Sequence, residues 1–328
     1  LEPEFIQKTR NIGRAPLCGC TLVIGAFQAH HAPMKTDRTF TAILLLLCAL
    51  TLFDGMGLII KHLSPRYSAA ELSAWRNMFG LIPSLLVLYA SRGWHENGRP
   101  WKLRQWRLAL SRGVILTFAQ FSFYLSLGLL TFATASTITY ANSLFAVALA
   151  VPLLGEKVGW IRWCAVVLGF IGVIWIVRPG SDSFSMAALL PLGAAVGYAL
   201  VGVTARIMDD DVPTPLINLY SSIVALLGAV VLALATGGFT PLSQSGDILW
   251  LMAMGGFGGS AVLLLIMAYR MAEQSNLAPF NYFGIPLAFA LGWLFFDEAP
   301  WRELFPGALL ILISGLLIVW RERQLKRA

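Results

Sequence analysis

Residues Thr139–Trp160 read TYANSLFAVALAVPLLGEKVGW, and the chain writes much the same passage again at Asn281–Trp301, NYFGIPLAFALGWLFFDEAPW. Tyr140 answers to Tyr282 and Glu156 to Glu298, both at an offset of 142. In each copy an apolar helix runs from a polar start to an acid and then a tryptophan. The repetition extends outward from there. Lys61 and Arg206 each close a span at the same relative place, and Arg92-Gly93 aligns with Gly237-Gly238, both at an offset of 145. Gly172 and Gly315 align within the last span of each half. Each half has room for five membrane crossings. An odd number forces the second copy to enter the bilayer upside down, which is how many secondary transporters enclose one central site.

Composition sets the solvent. The chain is 57% hydrophobic and 12% charged, with a mean hydropathy of +0.72, which excludes a soluble domain with an ordinary core. Apolar runs recur over most of its length and mark transmembrane helices. The spans read as 40–60, 71–91, 107–129, 133–153, 159–177, 186–207, 215–236, 248–269, 275–296 and 303–320. Each can cross ~30 Å of hydrocarbon at ~1.5 Å per residue. The expected organisation is an all-α integral membrane protein of ten helices. Residues 34–180 form the first five-helix repeat, and 181–328 the second, inverted one with a short tail. Residues 1–33 read as an extension of another character, with Met34 a natural start.

The pI near 9.4 reflects loops rather than a nucleic-acid surface. With the N-terminus inside, fifteen lysines and arginines fall on the cytoplasmic side and four on the other, namely Lys61, Arg66, Arg178 and Arg302. That asymmetry orients both termini to the cytoplasm of an inner membrane. Four cysteines (Cys18, Cys20, Cys48, Cys164) are too scattered for a disulfide framework, and Cys18 and Cys20 with His30-His31 match no common zinc spacing. No P-loop, HExxH or GxSxG motif is present, which argues against a nucleotide-driven pump or an intramembrane hydrolase and leaves a non-transporting membrane receptor or scaffold as the alternative to a carrier.

The segments FYLSLGLLTFATASTITYANSLFAVALAVPLLGEKVGWIRWCAVVLGFIGVIWIVRPG and APFNYFGIPLAFALGWLFFDEAPW resemble the corresponding repeats of EamA-type members of the drug/metabolite transporter superfamily. The likeness covers residues 40–320. It implies a ten-helix, two-repeat carrier of small organic metabolites in a bacterial inner membrane, a monomer or homodimer in contact with lipid, with no cofactor, metal or nucleic acid. Family members handle amino acids, amines, nucleosides, vitamins, S-adenosylmethionine and siderophore-like metabolites. The first half looks closest to permeases associated with riboflavin or S-adenosylmethionine.

Charges within lipid are expensive, so intramembrane ionisable residues are the first candidates for function. Asp54 lies well inside the first span beside Gly55 and Gly57, and Arg76 lies inside the second. Their repeat counterparts are Ala199 and Ser221, so the architecture itself requires neither charge. Three readings stay open: the pair grips the two ends of a zwitterion, Asp54 exchanges a proton, or the two form a structural ion pair between helices one and two. Further candidates for the substrate pathway are Trp75, Gln120 and Tyr124 (the last two on one helix face), and Thr137, Tyr140 and Asn142 on the polar first half of span four. Asn276, Asn281 and Tyr282 occupy the matching span, where Pro286 is expected to bend the helix. Trp293 is a further cavity aromatic. Glu71 reads as a solvated helix end, Arg112 as a headgroup snorkel, and Glu156 and Asp297-Glu298 as helix caps or loop ties. The Gly255–Gly259 run and Gly193–Gly197 read as close-packing surfaces.

Overall fold

A computed structural model describes residues 36–90, 95, 98, 105–155, 159–179, 185–205, 207, 214–244, 246–272, 277 and 280–327. Residues 1–33, Glu156, Arg206 and Asn276 lie outside them, and so do the expectations made for those positions. The long helices are α1 (Thr36–Leu63), α2 (Ala69–Ala90), α3 (Trp106–Leu129), α4 (Phe132–Tyr140), α5 (Asn142–Leu154), α6 (Trp160–Val177), α7 (Leu189–Ala205), α8 (Thr214–Ala235), α9 (Asp247–Met271), α10 (Gly284–Phe296) and α12 (Gly307–Arg327), with a single turn α11 (Trp301–Leu304) before the last. Seven spans are long and apolar enough to cross a membrane by length and composition, one of them the α4–α5 pair from Phe132 to Leu154. The other three crossings are α2, whose apolar run is diluted by Glu71, Ser73, Arg76 and Asn77, and the shorter apolar stretches Gly284–Phe296 and Gly307–Arg321. Ten crossings result.

The packing of these helices has two-fold character. α1 lies against α9, and its repeat counterpart α7 lies against α3. α2 packs on α9, and in the other half α8 packs on α3. Two contacts sit on the axis itself, each joining an element to its own counterpart: α2 with α8, and α6 with α12. Because each copy holds an odd number of antiparallel crossings, the copies are inverted.

Small residues make the close approaches, as expected where lipid offers no hydrophobic drive between helices. A Cβ at Gly255 would lie 2.3 Å from the Phe79 Cβ, and one at Gly259 would lie 2.7 Å from Pro83, so α9 seats on α2 through glycine. In the counterpart contact, Gly113 of α3 receives Val224 and Gly228 of α8 receives Thr117. Gly172 and Gly307 cross backbone to backbone where α6 meets α12. The Gly255–Gly259 run is thus a packing surface. Of the other glycine pair, Gly197 packs on Ala119, while Gly193 faces open space.

Span four is one line of sequence but two helices. It breaks at Ala141, and span nine breaks before Gly284 at Phe283, the equivalent position in the repeat. Pro286 falls in the first turn of α10, where a missing N–H goes unmissed, so it starts the helix after the break rather than bending one. Both helices also end alike. Gly155 (φ 68°) and Asp297 (φ 55°) occupy equivalent left-handed caps, a conformation that glycine adopts freely and aspartate tolerates.

Candidate substrate site

Asp54 projects from the middle of α1 and is buried, with 5% of its surface exposed. It does not face acyl chains. Its Oδ1 accepts from the Tyr140 hydroxyl at a long 3.4 Å, and its Oδ2 has no partner. Tyr140 ends α4 with its hydroxyl on the backbone of Gly284, where a Cβ would stand 1.8 Å away. The break in span nine therefore supplies the floor under Tyr140, and Tyr140 turns toward Asp54. The matching tyrosine is placed differently. Tyr282 exchanges a 2.7 Å hydrogen bond with Ser143 and rests on Gly315 of its own repeat. One tyrosine, used twice, has two different seats.

Arg76 comes from α2 and is likewise buried, at 8% exposed. Its Nη1 donates to the Asn77 side-chain oxygen at 3.0 Å, while its Nε has no partner. The Asn77 amide donates to Gln120 Oε1 at 2.7 Å and to the Ser73 carbonyl at 2.9 Å. Ser73 Oγ donates to the same Gln120 oxygen at 3.2 Å. Gly258 of α9 borders the guanidinium: a Cβ there would come within 2.9 Å of Arg76 Nε, 3.2 Å of its Nη2 and 2.6 Å of the Met56 sulfur. Tyr124, fully buried one turn beyond Gln120, packs with Met56 and Phe132.

The ion pairs among the described residues are Lys61–Glu298 and Arg66–Asp247. Asp54 and Arg76 form none with each other, which removes the structural-pair reading of these two charges. A buried charge without a counter-charge is costly in a low-dielectric interior, and such groups usually call for an explanation in function. Here an acid and a base are held apart on consecutive helices, α1 and α2, with α9 packed against both, and each has an unused polar atom.

The other sequence candidates divide. Gln120 belongs to the Arg76 network. Thr137 is fully buried on α4 with its hydroxyl unpartnered. Asn142 starts α5 at the break, half-buried, and Asn281 is half-buried just before the matching break. Trp75 stacks on Phe79 and meets Phe239 edge-on, toward the end of the bundle where α8 leads to α9. Trp293 is 60% exposed on the outer face of α10, which corrects its reading as a cavity aromatic. Two further expectations are corrected. Glu71 is buried, not solvated: its carboxylate accepts from the Ser68 N–H at 2.7 Å and from the Thr240 N–H. Arg112 does not snorkel, because it donates to the Val201 carbonyl at 2.6 Å and to Thr204, closing the end of α7.

Sequence reasoning missed Ser73 and Asn77, which look like ordinary polar residues in a long helix. It also missed Asp247. That residue is buried at the start of α9, where it takes Arg66 at 2.7 Å and the Tyr67 hydroxyl at 2.9 Å. At the same end of the bundle, Glu298 accepts the Phe132 N–H at 2.8 Å and pairs with Lys61, which also donates to the Leu130 carbonyl at 2.8 Å. These two clusters, with Glu71 on the Thr240 N–H, tie the first repeat to the second.

A model of the EamA-like transporter family matches residues 40–178 and again 185–320. The chain belongs to the EamA-like transporter family. Among curated proteins it is 26% identical to an S-adenosylmethionine uptake transporter of Rickettsia bellii over 80% of this chain and 88% of the relative. It is 27% identical to a riboflavin transporter of Rhizobium johnstonii over 90% and 96%. It is 25% identical to a pseudopaline exporter of Pseudomonas aeruginosa over 87% and 98%. A solved crystal structure shares the fold with a TM-score of 0.61 at 18% identity, covering 87% of this chain and 98% of the other. The protein is a small-metabolite transporter with two family repeats in one chain.

Proposed function

We propose that this transporter moves a zwitterionic organic metabolite across a bacterial inner membrane by alternating access, with no catalytic step of its own. Asp54 takes the cationic end of the cargo and Arg76 the anionic end. The observation that carries this reading is the buried acid on α1 and the buried base on α2, not paired with each other and each with a polar atom left over. A cargo bearing both charges would satisfy both groups at once, whereas a neutral cargo would leave two orphan charges in the bundle. Tyr140, Thr137 and Asn142 from one broken span, with Asn281 and Tyr282 from the other, complete the surroundings. Both termini face the cytoplasm in this reading, which the lysine and arginine counts support, and the ties at Lys61, Arg66 and Glu71 then close the extracytoplasmic end.

Among the cargoes named for relatives, S-adenosylmethionine has the required chemistry: a sulfonium and an ammonium beside a carboxylate. Those relatives include an uptake protein and an exporter, so direction follows the gradient in this account. The test is uptake of labelled S-adenosylmethionine into liposomes holding the purified full chain. Saturable uptake above empty liposomes, lost in both Asp54→Asn and Arg76→Gln, is the expected result. Uptake retained in both variants would overturn the assignment.

A further inference from the structure

We infer that Asn77 is a specificity-determining residue: it holds Arg76 in place with a neutral oxygen, so that the guanidinium keeps its full charge for the cargo's anionic end. The inference rests on the zwitterion reading above and names a residue that neither the family nor the relatives' names assign. Its basis is the direction of the hydrogen bonds around Arg76. Guanidinium has donors only, so the Asn77 side chain must turn its oxygen to Nη1, as it does at 3.0 Å. Its amide nitrogen then points the other way and needs acceptors. It finds Gln120 Oε1 at 2.7 Å and the Ser73 carbonyl at 2.9 Å. Gln120 in turn is held by Ser73 Oγ at 3.2 Å. Reversing any amide in this chain would set donor against donor. The network therefore has one polarity, and it ends at Arg76.

Two features make this arrangement one for binding rather than for burying a charge. First, the partner is an amide where a carboxylate would fit. An aspartate at residue 77 would reach Nη1 at the same distance and neutralise the arginine, as commonly occurs for a buried guanidinium. The neutral acceptor orients the group without consuming its charge. Second, Nε has no hydrogen-bond partner, although Gly258 of α9 packs against that edge, where a Cβ would stand 2.9 Å from Nε and 3.2 Å from Nη2. Gln120 and Ser73 act through Asn77 and are positioning residues.

The experiment compares two cargoes that differ only at the anionic end, S-adenosylmethionine and decarboxylated S-adenosylmethionine, in liposomes containing full-length wild type, Arg76→Gln, Asn77→Asp or Gln120→Leu. Wild type should prefer the carboxylated form. Asn77→Asp should raise the KM for S-adenosylmethionine by roughly 10- to 100-fold, the range for losing a charged hydrogen bond, while uptake of the decarboxylated form stays within about twofold. Gln120→Leu should raise the KM for S-adenosylmethionine about tenfold with little change at saturation, since it frees Asn77 without adding charge. Uptake of the decarboxylated cargo serves as the internal measure of intact folding. If Arg76→Gln abolishes the preference but Asn77→Asp keeps it, Asn77 is not the determinant and the inference fails alone. If wild type shows no preference, or carries neither cargo, the zwitterion reading fails and takes the inference with it. Loss of both cargoes in Asn77→Asp would mark Asn77 as a folding residue and also count against the proposal.

Discussion

Replacing Glu298 by Gln should release one end of the bundle. Glu298 sits after α10 and reaches into the first repeat, 2.7 Å from Lys61 Nζ with one carboxylate oxygen and 3.0 Å with the other. It also accepts the N–H of Phe132, the first residue of α4, at 2.8 Å. Glutamine preserves the shape and an acceptor for Phe132 but removes the charge opposite Lys61. The pair is neither a surface bridge nor a deep one, since its side chains are 12% and 24% exposed. Exposed pairs contribute about 0.2–1 kcal/mol, and breaking a buried pair costs about 3–5 kcal/mol. An intermediate value of about 2 kcal/mol fits this site, and at about 1.4 kcal/mol per factor of ten it becomes a roughly 30-fold change in population. The contact joins the two repeats at the end that the proposed orientation puts outside, so its loss should favour the state in which that end is open. The assay places a cysteine at Thr137, fully buried on α4, in a chain whose four native cysteines (Cys18, Cys20, Cys48, Cys164) are replaced by serine. A membrane-impermeant thiol reagent is then added from the outside. Labelling should accelerate roughly 30-fold in Glu298→Gln, in proportion to the open population. An unchanged rate would show that the Lys61–Glu298 contact persists through the cycle, and the gating argument would fall.

Three further outcomes follow from particular contacts. Gly284→Ala would drive a methyl group into the Tyr140 hydroxyl, 1.8 Å away. It should destabilise the protein by about 1–3 kcal/mol, the usual cost of overpacking, seen as a fall in Tm that Tyr140→Ala in the same chain reverses; no fall would mean that Tyr140 is seated elsewhere. Trp293→Ala, on the exposed face of α10, should leave transport within about twofold of wild type, and a larger loss would return Trp293 to the pathway. Asp54→Asn removes the one carboxylate of the site and should abolish uptake driven by a pH gradient. Coupling that survives the substitution would exclude Asp54 as the proton carrier.

The repeat, the ten crossings and the place of Asp54 inside a span were legible because each depends on a pattern carried by the chain itself: a fixed offset, a run of apolar residues, an acid where lipid disfavours one. What was hidden depended on neighbours distant in sequence. Glu71 begins a helix, where acids are usually solvated, but the segment at Thr240 folds over it and supplies an N–H. Arg112 sits where snorkelling is the common outcome, but the end of α7 lies within its reach. The break at Ala141 has no glycine or proline to announce it. Its matching break in span nine is where Tyr140 meets Gly284. Asn77 carries no sequence signal at all, because a polar residue next to an arginine gains its role only when Gln120 arrives from another helix. Trp293 was misjudged because helical position alone does not say which face of α10 turns inward.

Alternating access requires that one buried site between the inverted copies be exposed first to one side of the membrane and then to the other. The direct measurement is labelling of the cysteine at residue 137 by an impermeant reagent in right-side-out and in inside-out vesicles, with and without S-adenosylmethionine. The residue should be reached from either face, and cargo should slow both rates. A residue reached from one face only, at a rate indifferent to cargo, would contradict it.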